Sequence, residues 1–228
     1  MKDTEPVRIA IVGAESTGKT SLAAALAPRL AADTGLRVAW VPETLREWCN
    51  HVGRTPQAHE QAAILRQQHE RIEAAVATHD VVVCDTTGLM TAVYSDYVFG
   101  DRSLQARAVQ LQQRMALTLL TALDLPWVAD GAQRDGPQVR EPVDARVREL
   151  LMAHRLPWAL VSGQGPARLE SAVDAVAPLL RVRTDRFSPQ GGLFTRLDSR
   201  NAQRAAASRW TCDCCVVPEA ERRLKRGY

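Results

Sequence analysis

The sequence of 228 residues has no apolar run approaching the roughly 18 residues that a membrane-spanning helix needs. It shows no leader either. The opening MKDTEPVRIAIVG is polar and then enters an apolar run directly, which leaves no room for a secretory signal, so the expected location is the cytoplasm. No internal repeat is visible. Cysteines are few and odd in number, five, and without an export signal that argues against a disulfide framework. Cys49 and Cys84 read as packing residues. No stretch resembles the N-K-x-D signature of guanine-specific nucleotide binding. Lysine is the scarcest charged residue: there are three, Lys2, Lys19 and Lys225, against 26 arginines.

What is present is ordinary for a globular chain, with 46% hydrophobic and 24% charged residues, enough for one α/β domain and an appendage. The net charge of +3 is unevenly spread. Residues 181–228 carry eleven Lys and Arg against five Asp and Glu, while the rest of the chain is acidic by three. The basic end is therefore the only place where nucleic acid is an expected partner. Five short apolar runs, Arg8–Val12, Arg37–Val41, Val81–Asp85, Pro126–Ala129 and Trp158–Val161, read as strands buried on both faces. Helical spacing falls between them, over residues 19–32, 57–78, 103–121, 143–154 and 167–180. In 57–78 the expected inward face is Ala58, Ala62, Leu65, His69, Ile72 and Val76. Strand–helix alternation predicts a three-layer α/β sandwich around a mostly parallel five-stranded sheet, with ligands beyond the carboxyl ends of the strands. The periodicity fades near Thr184, which predicts a domain over 1–183 and a basic, cysteine-containing extension over 184–228.

Behind the first strand stands GAESTGKTS. Gly13 to Thr20 satisfy G-x-x-x-x-G-K-[ST] at every fixed position. Glycines let the backbone curl until successive N–H groups face one anion, and the following helix points its positive end at the same spot. One of the three lysines stands where a compact ammonium reaches the β- and γ-phosphates, and the Thr20 hydroxyl is placed to ligate Mg²⁺. The fold expected from this motif is of the P-loop NTPase type.

The other strand ends narrow the chemistry. In WVPETLREW, Glu43 is a candidate base for an acceptor hydroxyl and Arg46 a candidate clamp on a polar substrate. In VVVCDTTGL, Asp85 closes a strand at the usual second Mg²⁺-organising position, and Thr86 and Thr87 cap the next helix or touch the ligand. In VADGAQRDGPQVREP, Arg134 and Arg140 sit in a turn-rich segment that reads as a lid over the phosphates. A lid that excludes water favours delivery of a phosphoryl group to an acceptor over plain hydrolysis. The predicted activity is that of an ATP- and Mg²⁺-dependent small-molecule kinase. The alternatives are a P-loop ATPase or switch acting with nucleic acid through the basic tail, and a nucleotide-binding protein without turnover.

The tail holds RWTCDCCVVPEAERRLKRG. Cys212, Cys214 and Cys215 are three thiols in a C-x-C-C array with no neighbouring histidine to complete a four-ligand Zn²⁺ site. Zinc there is a weak expectation, and free thiols are the default.

Taken in order, GAESTGKTSLA, VPETLREW, VCDTTGLMTAVYSDYVFG, DLPWVADGAQRDG and the following VRE resemble the ribosylnicotinamide kinase domain of NadR-type bacterial proteins, over roughly residues 7–180. The resemblance implies phosphotransfer from ATP to nicotinamide riboside, as in NAD biosynthesis. It implies ATP held by Gly13, Glu15, Ser16, Thr17, Gly18, Lys19, Thr20 and Ser21, Mg²⁺ near Thr20 and Asp85, and catalysis by Lys19, Glu43, Asp85 and the lid arginines Arg134 and Arg140. It places Glu43, Arg46, Tyr94, Trp127 and Asp130 on the acceptor side, where an aromatic face suits a cationic pyridinium ring.

Overall fold

Six consecutive buried residues, VRIAIV, make β1 (Val7–Val12), and a central strand covered on both faces has to read this way. The computed structural model describes residues 5–128 and 136–184. After β1 come α1 (Lys19–Thr34), β2 (Val38–Val41), α2 (Thr44–Val52), α3 (Gln61–Val76) and β3 (Val81–Asp85). They are followed by α4 (Gly88–Phe99), α5 (Gln105–Gln112), β4 (Leu117–Thr121), α6 (Arg140–Ala153), β5 (Trp158–Val161) and α7 (Gly165–Thr184). All described residues fall in one compact unit.

The five strands lie in the order β2-β3-β1-β4-β5, and every pairing is parallel. The sheet is thus wholly parallel, where the sequence predicted a mostly parallel one. The inner strands β1 and β3 are buried throughout, whereas the edge strands β2 and β5 leave Trp40 and Leu160 exposed. On one face α1 packs against α7; on the other, α4 packs against α3, α5 and α6. Leu26 and Leu30 of α1 are fully buried, and truncating either to alanine removes about 2–5 kcal/mol of stability. Gly35, at φ 70°, ends α1 by donating its N–H to the Ala31 carbonyl. Among the described residues no helix is long and apolar enough to cross a membrane.

Three readings need correction. The fourth strand is Leu117–Thr121, residues 126–128 of the run expected to form it are not a strand, and the helix expected over 103–121 stops at Gln112. Leu111, Met115 and Leu119 keep a four-residue spacing, but Leu119 belongs to a strand buried on both faces, where spacing carries no helical information. Buried polar groups settle the arrangement. Thr87 Oγ1 donates to Gln112 Oε1 at 2.7 Å, and Gln112 Nε2 donates to Thr118 Oγ1 at 2.8 Å, joining α4, α5 and β4. In α3 the buried face is Gln61, Ile64, Leu65, Gln68 and Ile72, so Ala62 is exposed and His69 is only half-buried.

A candidate nucleotide site at the strand ends

The loop between β1 and α1 is held from behind. Gly13 has φ 150°, and a Cβ there would stand 2.1 Å from Thr121 Oγ1. Thr121 Oγ1 in turn meets Thr17 Oγ1 at 2.7 Å and the Val12 carbonyl at 3.2 Å, while Thr17 Oγ1 donates to the Ala14 carbonyl at 2.8 Å. Ser16 and Gly18 take left-handed conformations, φ 55° and 75°. Two such residues so close together are what a loop curled around its own N–H groups requires. Ser16 Oγ accepts the Val128 N–H at 2.8 Å, tying the loop to the segment after β4.

In front of the loop opens a cavity of about 730 Å³. Glu15, Ser16, Thr17, Gly18, Lys19, Thr20 and Ser21 line it, whereas Gly13, also expected to hold the nucleotide, is not in the lining and shapes the loop from the rear. Lys19 Nζ donates to the Ala14 carbonyl at 2.8 Å. Burial lowers its proton affinity, against the opposing pull of Glu43 and Asp85.

Glu43 and Arg46 line the same cavity and pair at 3.6 Å. Glu43 precedes the first residue of α2 without a capping hydrogen bond from its side chain, and burial raises its pKa against the attraction of Lys19 and Arg46, with Asp85 adding to the rise. The turn around it is gripped by a residue that periodicity did not identify. Gln68 of α3, 2% exposed, accepts the Thr44 N–H at 2.7 Å and donates to the Pro42 carbonyl at 3.4 Å, one contact on each side of Glu43.

Asp85 is 1% exposed at the end of β3, and neither carboxylate oxygen has a hydrogen-bond partner. Burial raises its pKa; the neighbouring Thr20 hydroxyl and Lys19 pull it back. Thr20 thus stands close without completing a hydrogen bond of ordinary geometry. A buried carboxylate without partners beside a hydroxyl and a phosphate loop is a donor set that fits a hydrated Mg²⁺. Among the described residues no group of three or more His, Cys, Asp or Glu is placed to hold a metal by itself. Magnesium here would rest on Thr20, Asp85 and the phosphates it accompanies.

The next residue, Thr86, also lines the cavity and has φ 66°, a strained setting for a β-branched side chain. Leu45, Met90, Tyr94, Val98 and Phe99 give the cavity an apolar part of its lining, and Arg54, Gln57 and Gln61 add polar lining. Tyr94, expected on the acceptor side, lines this cavity. Trp127 is half-buried with its indole N–H unpartnered and does not line this cavity. Arg140 is buried at the start of α6, and its Nη2 donates to the Leu125 carbonyl at 2.8 Å. Asp130, Arg134, Cys212, Cys214 and Cys215 lie outside the described residues.

Comparison with known proteins agrees with the fold. The AAA_28 family, described as an AAA domain, matches residues 8–168. No curated protein matches the sequence. Among solved structures, a NadR protein in complex with NR aligns with a TM-score of 0.60 at 18% identity, covering 76% of this chain and 50% of that one. A NadR protein in complex with NAD and AMP-PNP aligns at 0.58 and 18% identity, covering 76% and 49%. A thymidylate kinase from Ehrlichia chaffeensis aligns at 0.55 and 15% identity, covering 77% and 100%. The fold is that of P-loop nucleoside and nucleotide kinases, and the chain spans about half the length of the NadR structures it matches.

Proposed function

The chain belongs to the AAA_28 family of AAA domains, and from that premise we propose that it is a phosphotransferase moving the γ-phosphoryl group of ATP to a hydroxyl of a nucleoside-like acceptor, nicotinamide riboside first among them. One observation carries the reading. Glu43, a half-buried carboxylate whose proton affinity is raised by its partial burial, shares the cavity with Lys19 and the phosphate loop. Hydrolysis needs only water in this position; a base in a cavity with apolar side chains in its lining suits an organic acceptor.

In the proposed step the acceptor oxygen forms a bond to the γ-phosphorus while the bond from that phosphorus to the β–γ bridging oxygen breaks, and ADP leaves. Glu43 takes the hydroxyl proton. Lys19 and the loop N–H groups face the phosphate oxygens, where their fixed charge counts for more than it would in water. Bound phosphates would also raise the proton affinity that burial lowers in Lys19. Mg²⁺, held by Thr20 and Asp85, would neutralise phosphate charge. Arg46 is assigned to the acceptor, as is Tyr94 through its ring face. Arg134 and Arg140 are assigned to charge stabilisation, and Trp127 and Asp130 to the acceptor side.

The resemblance to the NadR kinase region and the likeness to a structure that binds NR support nicotinamide riboside as the first acceptor to try. The test is coupled ADP detection across a panel of nucleosides that includes it. ADP should appear only with an acceptor, and Lys19→Ala should abolish it. ADP release stimulated by RNA or DNA, and by no nucleoside, would overturn this reading in favour of a nucleic-acid-dependent ATPase working through the basic tail.

A further inference from the structure

Behind the phosphate loop, on the side away from the cavity, lies a guanidinium group that the chemistry above does not use. Arg168, in the first turn of α7, is 4% exposed and absent from the cavity lining. Its Nη2 donates to the Thr17 carbonyl at 2.9 Å and to the Ala122 carbonyl at 3.1 Å. Its Nη1 donates to Asp124 Oδ1 and to the Gly163 carbonyl, both at 2.7 Å. Asp124 Oδ2 accepts the Gly163 N–H at 2.6 Å. One side chain thus binds the phosphate loop to the segments that follow β4 and β5.

We propose that Arg168 is a positioning residue that fixes the Thr17–Gly18 peptide plane and so sets the affinity for the phosphates of the donor nucleotide. The peptide unit is planar and trans, so its C=O and N–H point in opposite directions. Holding the Thr17 oxygen at the rear therefore directs the Gly18 N–H forward, and Gly18 lines the cavity. That plane needs holding. It precedes a glycine at φ 75°, and glycine gives little resistance to rotation of the adjoining peptide. A cation on the carbonyl also polarises the amide and strengthens its N–H as an anion donor. The shape of the group matters as much as its charge. A planar fork reaches four acceptors on three segments, which a lysine ammonium cannot do. The proposal rests on the nucleotide-binding half of the function proposed above and is independent of the acceptor.

The test uses Arg168→Lys and Asp124→Asn in the full chain, with MgADP binding by isothermal titration, thermal unfolding, and steady-state kinetics with nicotinamide riboside. Folded R168K should bind MgADP about tenfold more weakly, and D124N should shift in the same direction by about threefold, the size expected for charged hydrogen bonds that are lost or loosened. The KM for ATP should rise in step while kcat at saturating ATP stays within about twofold. A merely structural staple would lower the active fraction, and with it kcat, leaving KM alone. If R168K does not fold, D124N decides. A folded variant that binds MgADP as tightly as wild type overturns the proposal. Wild type that fails to bind MgADP overturns the nucleotide reading itself, so the two failures are distinguishable.

Discussion

At Gly13 the chain has no room for a methyl group. The positive φ of 150° acts together with Thr121 Oγ1, which would lie 2.1 Å from a Cβ at this position. Gly13→Ala should therefore cost about 1–3 kcal/mol of stability in urea unfolding, from backbone strain and overpacking, and should weaken MgADP binding because the loop moves off Thr17 and Thr121. Unchanged stability would show that the contact is not limiting. Residues like Gly13, Gly18 and Lys19 were legible because one backbone geometry fixes their spacing. Arg168 was not. It reaches Thr17 from 151 positions away, and no local pattern links an arginine on one helix to a carbonyl in a distant loop. Thr121, at the end of the stretch read as helical, was hidden for the same reason.

At the scale of elements, the proposed acceptor side is a joint between α2 and α3. Glu43 begins α2, and Gln68 of α3 holds the backbone on both sides of it. Burial lifts the Glu43 pKa; Lys19 and Arg46 oppose the lift, and Asp85 adds to it. The folded chain thus binds this proton more tightly than the unfolded one, so the group's contribution to stability falls as pH rises from the ordinary glutamate value through the raised one. The catalytic sign is opposite, because the base must be ionised. Activity should fall as pH drops through a pKa above about 4.3, the usual glutamate value. Glu43→Gln should lower kcat by about 10²–10⁴-fold, leave MgADP affinity unchanged, and remove that limb from the kcat–pH profile. A Glu43→Gln enzyme at wild-type rate would exclude the role. Periodicity found Glu43 because it sits just past a strand. It missed Gln68 because a buried glutamine interrupts the apolar pattern that marks a buried face. The misplaced fourth strand has a related cause: Leu117–Thr121 is buried along nearly its whole length, and such a run does not distinguish strand from helix.

Across the whole molecule, the wholly parallel sheet brings the ends of β1, β2 and β3 to one cavity, so that Lys19, Glu43 and Thr86 share it although they are far apart in sequence. Alternation of strands and helices made this architecture legible, since parallel strands require crossovers and crossovers cover both faces. Acceptor identity was not legible in the same way, because it depends on the shape of the cavity that side chains of α2 and α4 help to line and not on a motif. Transfer, not hydrolysis, is the chemistry assigned to this site. The measurement that tests it most directly is phosphorus NMR of wild-type protein with ATP, Mg²⁺ and nicotinamide riboside. The terminal phosphoryl group should appear as a monophosphate ester of the acceptor, in step with ADP and without inorganic phosphate. Inorganic phosphate as the sole product beside ADP, at a rate indifferent to the nucleoside, would contradict it.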